Sequence, residues 1–371
     1  MGRRLVAFSI ALAVLALCLC VALAVLLPRI AERSGVPEGQ PTGGSDWYEV
    51  WFTTPRYPDR AEDRQGGIDE HLVAFVDGAQ RSLDVAIYDF DLQNVATALA
   101  RAKGRGVTVR LVTDTDTVEN DDRAIQGAFE TVRRAGIPVV PDKRGAIMHH
   151  KFVVRDGEAV WTGSYNFTTN DTFRHNNNAL VIQSPQVAAN YAGEFDQMFV
   201  RGRFGPNKTP GVPNPRVTLG GATIDTFFAP QDKIAARVVA AIRQARSSIY
   251  FMAFQFTNDE IGQAMIDRSR DRVQVAGVFE RTGSETQFSE FRRLQEAGIE
   301  VYQDGNPYIM HHKVIVIDER IVLTGSYNFT DNAERSNDEN LLFIEDAGLA
   351  RKYIEEFNRV RETAKRPPSR P

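Results

Sequence analysis

The chain is written twice. Ala135-Gly136-Ile137 returns as Ala297-Gly298-Ile299, and Ile147-Met148-His149-His150-Lys151 returns as Ile309-Met310-His311-His312-Lys313. Thr162–Thr168 recurs residue for residue at Thr324–Thr330. The likeness extends upstream: Ala79–Phe90 resembles Ala245–Phe256, and Phe52-Thr53-Thr54-Pro55 resembles Phe227-Phe228-Ala229-Pro230. Such a duplication constrains the fold strongly, because two copies of roughly 150 residues must fold by the same rules and pack as like units.

Within each copy, apolar runs alternate with helical periodicity. Leu83–Tyr88 and Ile249–Phe254 read as strands, Val95–Lys103 and Ile261–Ser269 as helices, and Val107–Val112 and Val273–Phe279 as β-branched strands. Ala124–Ala135 and Thr286–Ala297 read as further helices ahead of the motif strands. This succession predicts an α/β fold of two similar α/β/α sandwich halves related by a pseudo-twofold axis. The halves are expected at 47–200 and 222–362, with a Gly- and Pro-rich linker at 201–221 and a tail at 363–371.

Ahead of the first copy, Leu5–Leu27 is uncharged and matches the roughly 20 residues that cross a hydrocarbon core. Residues 1–28 therefore read as a transmembrane helix and membrane anchor, with 29–46 as a polar linker. A cleaved signal and a secreted product form the rival reading, but Val25-Leu26-Leu27-Pro28-Arg29 offers no small-residue cleavage site. Arg3 and Arg4 favour a cytoplasmic N-terminus and Arg29 and Arg33 partly oppose it, so a single-pass protein with its folded part outside the cytoplasm is expected. Both cysteines, Cys18 and Cys20, lie in this run, which leaves the rest of the chain without a disulfide or a cysteine metal site. The net charge of −4 shows no basic excess and argues against nucleic acid as the main partner, although a local groove can still be basic.

The first motif runs His149-x-Lys151, Asp156, Gly163-Ser164-x-Asn166, and the second runs His311-x-Lys313, Asp318, Gly325-Ser326-x-Asn328 at identical spacing. Two adjacent strands joined at Asp156-Gly157 bring the histidine, the lysine and the polar Ser and Asn to one face. That patch suits a phosphodiester: Lys151 and Lys313 supply point charges, while Ser164, Asn166, Ser326 and Asn328 can donate hydrogen bonds to phosphate oxygens. A neutral imidazole can attack phosphorus while a protonated one gives a proton to the leaving oxygen. His150 and His312 alternate to the opposite face and read as packing or supporting groups, and His71 and His175 as incidental. No acidic cluster accompanies the motif histidines and a lysine stands beside each, so neither a metal nor a cofactor is expected.

The pattern H-x-K-x4-D-x6-G-S-x-N, present in both copies, resembles the signature of the phospholipase D superfamily. The resemblance implies a metal-independent reaction through a phosphohistidine, with His149 as nucleophile, His311 as acid, and Asp156 and Asp318 as supports of the motif loops. Members often place an orienting carboxylate beyond G-S-x-N. Glu339 fits that place in the second copy, whereas the first carries Asn177. Taken within each copy, this gives the better cation support to His311, in keeping with the acid role, and leaves the choice of nucleophile open.

The resemblance and the anchor together point to a membrane-bound monomer hydrolysing phospholipid headgroup phosphodiesters to phosphatidic acid and an alcohol. Alternatives are a nuclease using the same chemistry, a phosphatidyl transferase of the cardiolipin synthase kind, and a non-catalytic phosphate-binding scaffold.

Overall fold

The structure, a computed structural model, describes residues 46–368; the apolar run read as an anchor lies outside them. Among the described residues no helix is long and apolar enough to cross a membrane.

Each copy builds its own mixed sheet. The first contains β1 (Tyr48–Phe52), β2 (Ser82–Ile87), β3 (Thr108–Thr113), β4 (Val139–Pro141), β5 (Lys151–Arg155) and β6 (Ala159–Gly163). A two-residue strand, β7 (His175–Asn176), leads into β8 (Asn178–Gln183), and the sheet order is β1-β8-β6-β5-β2-β3-β4. The second copy contributes β9 (Arg216–Leu219), β10 (Ala222–Ala229), β11 (Ser248–Ala253), β12 (Gln274–Phe279), β13 (Glu300–Gln303), β14 (Ile309–Met310), β15 (Lys313–Ile317), β16 (Ile321–Gly325) and β17 (Glu339–Glu345). Its sheet runs β13-β12-β11-β15-β16-β17-β10-β9. In both, β-α-β crossovers give the parallel pairs β2–β3 and β11–β12, while the motif hairpins β5–β6 and β15–β16 are antiparallel.

Three apolar clusters explain why the motif strands are hydrophobic throughout rather than alternating. Helices Ile68–Asp77, Gln93–Gly104 and Arg123–Arg134 cover the outer face of the first sheet, and Ile234–Arg243, Asp259–Arg270 and Glu290–Glu296 that of the second. Between the sheets lies one shared core, where Val154, Val160 and Leu180 of the first half join Val314, Val322 and Leu342 of the second. Helices Pro185–Phe199 and Ala347–Lys365 bury Tyr191 and Tyr353 in it. A strand buried on both faces must be apolar on both. Each large side chain removed from water there contributes about 1.5–3 kcal/mol.

Several contacts are made twice with the halves exchanged. Thr162 and Tyr191 of the first half donate to Asn340 Oδ1 (3.1 and 3.2 Å), and Thr324 and Tyr353 of the second donate to Asn178 Oδ1 (both 3.1 Å). Short parallel pairings also cross: β14 with β7, and Met148 with Asp338.

Sequence-read elements fall within a few residues of the observed ones, with two differences. The helix expected from Thr286 starts at Glu290, because Ser289 caps it by accepting from Phe291 N. The 201–221 connection is structured: Lys208 within it is fully buried against Glu194 and Asp338, and β9 pairs with β10. Trp47, Tyr48 and Trp51 are core residues.

Candidate active site

Both motif hairpins begin where the halves meet. His149 N donates to Asp338 O (3.0 Å) and His311 N to Asn176 O (2.9 Å), so each histidine is tied to the other half before its side chain is considered. The side chains follow the same exchange. Nδ1 of His149 lies 2.9 and 2.8 Å from the two carboxylate oxygens of Glu339, and Nδ1 of His311 lies 3.0 Å from Asn177 Oδ1. The pairing inferred within each copy is thus corrected: Glu339 orients His149, and Asn177 orients His311. The cause is the crossed strand pairing, which delivers the residue after each G-S-x-N to the opposite histidine.

Ser164 and Ser326 also take a different task from the one their position suggested. Ser164 Oγ donates to Asn177 Oδ1 (2.9 Å) and Ser326 Oγ to Glu339 Oε2 (2.6 Å), and both serines are fully buried. They hold the orienting residues instead of facing phosphate. The preceding glycines permit this, since a Cβ on Gly163 or Gly325 would stand 2.4 or 2.3 Å from the carbonyl oxygen of Asn178 or Asn340. Asn166 and Asn328 are different: the Oδ1 atom of each is a buried acceptor without a partner, and Asn166 Nδ2 makes only a long contact of 3.5 Å to Asp171 Oδ2.

Lys151 and Lys313 are wholly buried, each donating to the carbonyl of its own motif histidine at 2.9 and 2.8 Å. Each ammonium sits over an aromatic ring, Tyr88 at 5.0 Å and Phe254 at 4.5 Å. Burial lowers the Lys151 ammonium to about 8 against the pull of Glu339, and burial with Lys151 lowers Lys313 well below its ordinary value. Both imidazoles are held well below theirs, first by burial and then by the lysines. Burial pushes the Glu339 carboxyl up to about 7. Burial in this site therefore disfavours charge on both imidazoles and both ammonium groups, an environment that a bound anion would relieve.

Asp156 and Asp318 lie at the far end of the hairpins from the histidines. Asp156 accepts from the backbone N–H groups of Gln80, Arg81 and Ser82, and Asp318 from those of Arg246, Ser247 and Ser248. Burial works to raise both carboxyls, but these donors hold them below the usual range. They fasten each hairpin to the strand beside it and touch no reacting group.

Asp171 and Asp89 escaped the sequence reading, and His175, read as incidental, stands at the site as well. Asp171 Oδ1 stands 3.2 Å from Nδ1 of His311, and His175 lies 3.5 Å from the other oxygen of that carboxylate. Asp89, half-buried beside Tyr88, is pushed up to about 6 by burial and by Asp171, with Lys151 opposing. A signal existed for Asp171: the first copy gains a carboxylate there where the second has Ala333, just as it loses one at Asn177 where the second has Glu339. His150 and His312 face the shared core, where Nε2 meets Glu194 at 3.0 Å and Glu356 at 2.9 Å. No cluster of metal-ligating side chains occurs among the described residues. Directly after β3, Asp114 accepts from Met148 N at 2.9 Å and so fixes the approach to His149.

This arrangement defines a duplicated α/β protein with one composite site of paired imidazoles and lysines. The chain belongs to the phospholipase D-like family and is a phosphoric diester hydrolase: the family model described as "Cardiolipin synthase, PLD-like domain" matches residues 72–199 and 238–361. A protein named "Phospholipase D" from Rickettsia bellii (strain RML369-C) is 39% identical over 139 residues, covering 38% of this chain and 69% of the relative. "Mitochondrial cardiolipin hydrolase" of Homo sapiens is 35% identical over 127 residues, covering 34% of this chain and 50% of that protein. The crystal structure of phosphatidylserine synthase from Haemophilus influenzae Rd KW20 shares the fold, with a TM-score of 0.64 at 12% identity, over 80% of this chain and 84% of that one.

Proposed function

We propose that the chain hydrolyses the headgroup phosphodiester of a phospholipid through a phosphohistidine on His149, with His311 as acid and then base. The observation that carries this reading is the contact of His149 Nδ1 with both oxygens of Glu339, at 2.9 and 2.8 Å, which assigns the ring proton to that nitrogen. The Nε2 lone pair is then free to attack, and a carboxylate stands where the imidazolium charge develops.

As Nε2 of His149 bonds to phosphorus, the bond from phosphorus to the alcohol oxygen breaks and His311 gives that oxygen its proton. Water, losing a proton to His311, then attacks phosphorus, and the bond to His149 breaks. Lys151, Lys313, Asn166 and Asn328 face the non-bridging oxygens and stabilise the charge gathered there. The negative phosphate restores the ammonium forms that burial disfavours and raises the proton affinity of His311.

A lipid substrate is supported by the uncharged run Leu5–Leu27, which as an anchor would keep the site near a bilayer, and by the names of the two relatives. The test is the full chain in phospholipid vesicles with EDTA present, alongside His149→Ala and a parallel incubation with DNA. Headgroup release that survives the chelator and falls at least about a thousandfold in the variant is expected. Cleavage of DNA with intact vesicles would replace the lipid reading by a nuclease, and alcohol-dependent exchange without net hydrolysis would replace it by a transferase.

A further inference from the structure

The two halves place the same one-turn helix beside the site, Thr169–Phe173 in the first and Asp331–Arg335 in the second. Thr168 caps one by accepting from Asp171 N at 3.1 Å, and Thr330 caps the other by accepting from Ala333 N at 3.3 Å. At that equivalent position the first half presents a carboxylate and the second a methyl group. Asp171 is 3% exposed. One oxygen receives Asn177 Nδ2 at 2.8 Å and stands 3.2 Å from His311 Nδ1, while the other receives the Thr168 hydroxyl at 2.8 Å. Asn177 in turn presents its Oδ1 to His311 Nδ1 at 3.0 Å, so amide and carboxylate form one unit behind a single ring nitrogen.

We infer that Asp171 is the positioning carboxylate of His311, doing from the capped turn what Glu339 does for His149 from β17. The inference rests on the phosphodiesterase reading with His311 as acid. Other groups acting on His311 are His175, which shares Asp171, Lys313 on its own strand, Lys151 from the opposite hairpin and the Phe254 ring at 4.7 Å. Asp89 acts on Asp171 from beside Tyr88. Burial alone would raise the Asp171 carboxyl, but His311 and His175 hold it well below the usual range, so it stays an anion. When His311 passes its proton to the leaving oxygen, Asp171 keeps its charge and takes up no proton. Its part is to make His311 hold a proton between two lysines until that moment.

The experiment compares the full-length protein with Asp171→Asn, Asp171→Ala and the double variant Asp171→Ala/Asn177→Glu, which copies the arrangement of the second half. Two diesters are used, one with an alkyl leaving group and one with p-nitrophenolate, which departs without an acid. The alkyl ester should lose kcat/KM at least about tenfold more than the nitrophenyl ester in both single variants. The alkaline limb of its pH profile should move down by at least about one unit, and the double variant should recover both. Equal losses on the two esters, an unmoved limb, or a double variant no better than Asp171→Ala would overturn the inference. Should Asp171→Ala fail to fold, the isosteric Asp171→Asn decides by the first two readouts. If the wild-type protein cleaves neither ester, the phosphodiesterase reading falls on its own. Histidine NMR titration with inorganic phosphate then judges Asp171 separately: the His311 proton should be lost at least about one unit lower in Asp171→Asn, and an unchanged value rejects the role.

Discussion

Set side by side, the two halves agree where the scaffold is built and differ where protons are managed. Both fix a motif aspartate with three backbone donors, both bury a glycine against the neighbouring strand, and both hold the orienting residue with a serine. Yet His149 is backed by Glu339 alone, with Ala333 in the capped turn, whereas His311 is backed by Asn177 and Asp171 together. The difference teaches that conserved geometry within a duplication sets where the reacting groups stand. Substitutions one layer behind then set what each can do.

The sharpest way to break the contrast is Glu339→Gln, which gives both histidines an amide at the orienting position. Loss of the carboxylate removes the counter-charge of the His149 cation and the acceptor that fixes its tautomer, and kcat/KM should fall about a hundredfold. The pH profile gives the sign. In the wild type, burial raises Glu339 to about 7, so its anion forms above that pH. Activity should rise through about 7, while the alkaline limb is the loss of the His311 proton. In Glu339→Gln the acid limb should vanish while the alkaline one persists; an unchanged acid limb would assign it to another group.

A second comparison concerns what the halves share. Asp156→Ala and Asp318→Ala should each destabilise the fold by about 2 kcal/mol, read from denaturant midpoints, through lost charge-assisted hydrogen bonds. Because both carboxyls are depressed in the folded state, this stabilisation is present above their unfolded values near 3.9 and is lost as pH falls through the folded ones. The activity of the folded fraction should persist, whereas a thousandfold loss would place these aspartates in the chemistry. The smallest effect probes the hairpin turns. Gly157 has φ 67° in the first, while Glu319 holds the same region at φ 53° in the second. Glu319→Gly should therefore stabilise by about 0.5–1 kcal/mol, measured by thermal unfolding, with no change in turnover.

Much of the fold was legible because periodicity is local. Runs such as Val107–Val112 and helices such as Val95–Lys103 declare themselves within a few turns of chain, and the motif spacing brings His149 and Lys151 to one site in any such sheet. Which histidine each orienting residue serves was not legible. That choice is made by the pairing of β7 with β14 and by a single bridge from Met148 to Asp338, contacts too short to leave a pattern in sequence. The serines were misjudged for a related reason: a hydroxyl can serve a phosphate or a neighbouring carboxylate equally well, and only burial shows that Ser164 and Ser326 are already committed. Asp171 was hidden because its role replaces the one lost at Asn177 from a different position in the chain.

The exchange of orienting residues between the halves matters because the halves belong to one chain. In an assembly of two identical copies, any change behind one histidine would be repeated behind the other, and nucleophile and acid would share one setting. Joining the copies in a single chain removes that bond. Positions 177 and 171 differ from positions 339 and 333 in this one chain, so its two histidines stand in separate settings that two identical copies would be unable to provide.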